Sequence, residues 1–142
     1  MPKRKGKAKA AALPAWVAGG VLWSFTGEPV AERGDFEARV RRYQVEITGG
    51  GDVWRPGEVV LPCPRVRVSY LCWDGDEQVE PVVELESDDG QSFTLEELLH
   101  KIHNAVVERV RDADRHFFEG LTLEQPPSAP GGAPLYRLRL GS

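Results

Sequence analysis

Three histidines, His100, His103 and His116, are the side chains of this chain best suited to acid–base or metal chemistry. His100 and His103 are three apart, a spacing that brings both to one side of a helix. A metal would need at least one more protein ligand, and His116 and Glu119 are the nearest in sequence. Simpler readings compete. His100 is one turn from Glu96 and Asn104 and reads as part of a surface polar row. His103 flanks Ile102 and Val106 and reads as a half-buried ring making one hydrogen bond. Glu119 alternates onto the same strand face as Phe117 and Leu121, and burial there demands a partner such as His103, His116 or Arg115. Either a polar pocket of His103, His116 and Glu119 forms, or a bulge at Gly120 or a strand end turns Glu119 outward.

No stronger chemical signature is present. The glycine clusters at 19–20, 49–51 and 131–132 lack the strand-to-helix context and the Lys-Ser/Thr of a phosphate loop. No serine sits in a nucleophile elbow. Cys63 and Cys72 are too few for a disulfide scaffold and suit a reducing, cytoplasmic compartment. Cys72 falls on the apolar side of its strand and reads as a buried thiol. No catalytic residue, metal ligand or cofactor is assigned. Asp74-Gly75-Asp76-Glu77 is an acidic turn without the rest of a calcium loop. With Trp54, Trp73 and Tyr70 as anchors, though core packing explains Tyr70 equally well, Asp74, Asp76 and Glu77 make a candidate partner surface.

The elements that must position these groups follow from periodicity. Residues 21–26 alternate as a strand, with Val21, Trp23 and Phe25 on one face. Residues 38–48 read as a strand whose phase slips near Arg41-Arg42, through a bulge or a short helical turn. Residues 58–61 are at best a short edge strand among prolines. Residues 65–73 and 78–86 form a hairpin. One register sets Trp73 against Gln78, Arg67 against Glu84, Arg65 against Glu86, Val68 against Val83 and Val66 against Leu85. Pro81 marks an edge or bulge in it. Thr94 and Glu97 have capping-box spacing and open a helix over 95–112. Its apolar stripe is Leu95, Leu98, Leu99, Ile102, Val106, Val110 and Ala113. Residues 117–124 and 135–140 are two strands able to pair antiparallel, with Arg137 and Arg139 near Thr122 and Glu124.

The chain has 142 residues, 41% hydrophobic and 28% charged, the make-up of one ordinary folded domain. No stretch approaches the roughly 18 consecutive apolar residues of a spanning helix, so no membrane partner is expected. The formal charge is −4, but Lys3, Arg4, Lys5, Lys7 and Lys9 precede the first acidic residue, Glu28. Residues 1–13 therefore read as a disordered basic arm on a single α+β domain at 14–142 with 13 basic and 22 acidic residues. A secretory signal fits the arm less well, because Pro14 and Gly19-Gly20 interrupt its apolar region. The expected architecture is a mainly antiparallel sheet of five to six strands with one long helix on one face. The expected function is non-enzymatic binding of another protein, for instance as an acidic inhibitor of the antitoxin or immunity kind. Two alternatives stand beside it: a nucleic-acid-associated protein using the five basic residues of the arm, and a small enzyme or ligand pocket at His103, His116 and Glu119.

Overall fold

Alternation of apolar and charged residues between Arg65 and Glu86 dictates one side of the main sheet. The computed structural model describes residues 13–50, 53–129 and 132–142. In chain order its elements are β1 (Trp16–Val17), β2 (Trp23–Ser24), α1 (Arg33–Thr48), β3 (Val59–Leu61), β4 (Arg65–Ser69) and β5 (Cys72–Asp74). Then follow β6 (Glu77–Val79), β7 (Val82–Glu86), β8 (Phe93–Thr94), α2 (Leu95–Val110), β9 (Phe117–Gln125) and β10 (Leu135–Gly141). The β4–β7 register pairs Arg65 with Glu86, Val66 with Leu85, Arg67 with Glu84 and Val68 with Val83, and β5–β6 pairs Trp73 with Gln78. Val66 and Val68 are fully buried. The expected long hairpin is split in two. Pro81 has no N–H to give the ladder, so its carbonyl accepts from Tyr70 N and the strands part there.

The main sheet runs β1-β9-β10-β4-β7, with β2 also on β9. It is mixed, which corrects the mainly antiparallel expectation: β10 is antiparallel to β9 but parallel to β4. A parallel neighbour needs a long crossover, and the stretch from β4 through α2 to β10 supplies one. β9 bulges between its pairings with Leu138 and Leu140. Gly120 sits in the bulge at φ +101°, and a Cβ there would lie 3.0 Å from the Val17 carbonyl oxygen.

There are two helices among the described residues, not one. Residues 38–48, expected as a strand, belong to α1. The apparent phase slip is the 3.6-residue period of Phe36, Val40 and Gln44, all buried on one side. Gln44 hides the pattern because a polar residue fills an apolar slot. Its Oε1 accepts from Leu22 N at 3.0 Å, and its amide donates to the Leu22 carbonyl. Gly49 closes the helix in the left-handed conformation, φ +82°, donating to Val45 O. α2 opens as its cap implies, with Thr94 Oγ1 accepting from Glu97 N at 3.3 Å. It packs against α1, β5 and β8. Both helices and the main sheet contribute to one buried cluster, from Phe36 and Val40 through Ile102 and Val106 to Leu121 and Tyr136.

Candidate functional site

Each histidine is engaged by the protein's own groups. His103 lies on the apolar side of α2 and is 1% exposed. Its Nδ1 accepts from the Trp23 indole at 3.1 Å, and its Nε2 donates to the Glu28 carbonyl at 3.0 Å. An indole N–H only donates and a carbonyl only accepts, so the ring is the neutral Nε2–H tautomer. Burial holds its pKa below the ordinary histidine value; His100 and Arg39 push the same way, against the Glu28 hydrogen bond. His100 is not on a surface row but buried. Its Nδ1 accepts from Arg33 Nε at 2.9 Å, its Nε2 donates to the Val30 carbonyl at 2.6 Å, and Phe36 stacks on it with centroids 4.9 Å apart. α1 curls over α2, so one turn further round than the apolar stripe is still interior.

His116 turns away to the Ala113 carbonyl, Nδ1 at 2.7 Å, and lies against Phe117. Glu119 is exposed, because Phe118, not Phe117, faces the core and the Gly120 bulge resets the phase before Leu121. No hydrogen bond or ion pair among the described residues joins His103, His116 and Glu119. Nor does any group of three or more His, Cys, Asp or Glu among them stand ready to hold a metal ion. Lys3, Arg4, Lys5, Lys7 and Lys9 lie outside the described residues.

The second candidate surface is half corrected. Trp54 is only 3% exposed, its indole donating to Glu37 Oε2 at 2.9 Å, so it anchors α1 rather than a partner. Trp73 is 58% exposed, and Asp74, Asp76 and Glu77 surround it at the exposed tip of the β5–β6 hairpin. Cys72 beside it is buried, 3.8 Å from Arg109 Nη1, and fixes the hairpin base against α2.

Trp73 also walls an open groove of about 860 Å3 with Trp16, Arg115, Glu119, Arg137 and Arg139. Trp16 is 54% exposed. Its ring lies over Gly19, where an added Cβ would come within 1.9 Å of the indole nitrogen. Glu119 rests on Gly141 in the same way, 2.1 Å from where a Cβ would stand. Two glycines thus let two groove side chains lie flat. Arg137 is occupied, at 2.7 Å from Glu80 and 3.9 Å from Glu124. Asp114, Arg115, Glu119 and Arg139 make no ion pair among the described residues.

No family model, curated protein or solved structure matches this chain. The groove must be read from its own chemistry. Its walls hold two accessible indoles and, among the described residues, unpaired charge of both signs. It lacks the uniform positive charge that tracks a phosphate backbone. Sequence reasoning reached Trp73 through its acidic turn but missed Trp16 and the outward role of Arg139. The signal was there: β10 alternates Tyr136 and Leu138 against Arg137 and Arg139, and Trp16 is followed three residues later by the glycine it covers.

Proposed function

We propose that this protein acts by binding another protein across the face formed by the Trp73 hairpin and the adjoining groove, without catalysing a reaction. One observation carries the reading: two indoles more than half exposed stand on one groove beside four unpaired charges and next to an acidic tip. Exposed tryptophans ringed by polar groups are the usual anchors of protein interfaces. The tip of Asp74, Asp76 and Glu77 fits a basic segment of the partner, and Arg115 and Arg139 fit acidic groups beside it. A small acidic inhibitor that covers a basic active site is the concrete form this reading takes.

A photo-activated crosslinker at Gln78, on the groove wall, tests it against one at Glu46, on the exposed outer face of α1. In the host cell the Gln78 position should yield a discrete protein adduct, lost when Trp73→Ala or Arg139→Glu is introduced. Adducts equally strong from both positions, or unchanged by both substitutions, would remove the groove as the interface.

A further inference from the structure

We infer that His103 is an acid-sensitive latch that fastens the segment 28–30, and with it the start of α1, onto α2. The geometry is the same twice. Each ring receives a donor at Nδ1, from Trp23 or Arg33, and offers its Nε2 proton to a main-chain carbonyl, of Glu28 or Val30. Neither the indole nor the guanidinium can accept. A proton added at His103 Nδ1 therefore sets N–H against N–H and strips the buried Trp23 indole of its acceptor.

No carboxylate among the described residues pairs with either ring. From α1 the rings face Arg33 and Arg39, both positive; along α2 they face each other. The segment 28–30 presents main-chain carbonyls, while the Glu28 carboxylate is engaged by Arg111 at 3.0 Å. Asp88 reaches the site only through Arg33, at 3.2 Å. Phe36, stacked on His100 and 5.3 Å from His103, would attract an imidazolium through its ring face but restores neither hydrogen bond. The depressed pKa of His103 agrees with this balance.

α1 is held from below by the buried Phe36 and Val40, but its first turn is weakly capped. Glu32, at the N-cap of α1, makes no side-chain cap bond, and Arg33 places positive charge at the positive end of the helix. Two neighbouring clamps do not titrate. Asn104 bonds both N–H and C=O of Val30, and Gln44 does the same for Leu22. Acid should thus open the start of α1 while both ends stay tethered, and leave the sheet closed.

Two measurements on the full chain test this without any variant. Nitrogen–proton correlation spectra should show the His103 ring as Nε2–H at pH 7.5. Amide exchange in residues 36–40, corrected for intrinsic pH dependence, should then accelerate about tenfold per pH unit between the unfolded-state and native pKa values of His103. Amides of β4, β9 and β10 should not follow. His103→Gln should remove the slope. An Nδ1–H tautomer on His103 would overturn the inference. So would His103 titration with no change at residues 36–40, or simultaneous acceleration in the sheet, which would mean global unfolding.

Discussion

A few single residues separate what is stability from what is surface. Ile102 is 1% exposed in the middle of α2; Ile102→Ala should cost about 2–5 kcal/mol, read from a shifted denaturant midpoint at constant slope. The neighbouring Lys101 is less neutral than its place off the stripe implies. Its ammonium bonds Glu97 Oε2 at 2.8 Å and Asp88 Oδ1 at 2.9 Å, and Glu97 is buried. Lys101→Ala leaves that carboxylate with the Asp88 N–H, at 2.6 Å. A loss of about 1–3 kcal/mol is therefore expected, smaller than at Ile102 but not negligible. Ser69 points the other way. Its hydroxyl is buried with no hydrogen-bond partner among the described residues. Ser69→Ala should leave the melting temperature unchanged or raise it, since the unmet desolvation cost disappears; a fall of several degrees would show that the hydroxyl is bonded in solution. Gly19→Ala has a local purpose. With an ordinary backbone and only the Trp16 ring in its way, it should swing the indole aside, change its fluorescence and weaken partner binding. The stability change should stay within about 0.5 kcal/mol, as for other surface changes.

At the scale of elements, the β9 bulge is the tightest constraint. Gly120 combines φ +101° with the main chain of Val17 and Gly19 about 3 Å from any Cβ. Gly120→Ala should destabilise by more than about 1 kcal/mol through strain alone, with further cost from moving β1; thermal unfolding of the variant measures it. The legibility of the sequence divides along the same lines. The β4–β7 register was readable because two independent patterns, Arg65 and Arg67 against Glu86 and Glu84, and Val66 and Val68 against Leu85 and Val83, select one alignment. The start of α2 was readable because Thr94 and Glu97 are local to each other. α1 was not, since its inner face is completed by Gln44, whose partner Leu22 is remote in sequence. The histidines failed likewise. His100 earns its burial from Arg33, Val30 and Phe36, all on the far side of a loop that no local pattern places. The groove combines residues from β1, β5, β9 and β10, and only the topology brings these together.

For the whole molecule, charge and acid response are the measurable consequences. A body with 13 basic and 22 acidic residues should meet a basic partner faster at low ionic strength. Association rates falling steeply between about 0.01 and 0.15 M salt, with dissociation little changed, would fit that steering. Stability should also fall in mild acid. His103 binds its proton less readily folded than unfolded, so its contribution is complete above the unfolded pKa of about 6.5. It is lost as pH drops from there to the lower native value, by up to about 1.4 kcal/mol per pH unit. Melting temperature followed from pH 7.5 to 5 should decline, and His103→Gln should flatten the decline. The parallel pairing of β10 with β4 has a further consequence during synthesis. β10 is the middle strand of the sheet, and Arg67 emerges from the ribosome long before the Leu135 it pairs with. A nascent chain that stops short of Leu135 carries β4 with one edge bare, and β9 has neither its main partner nor a route to β4. The two halves of the sheet, β4–β7 and β1/β2–β9, are therefore joined only once β10 has been made.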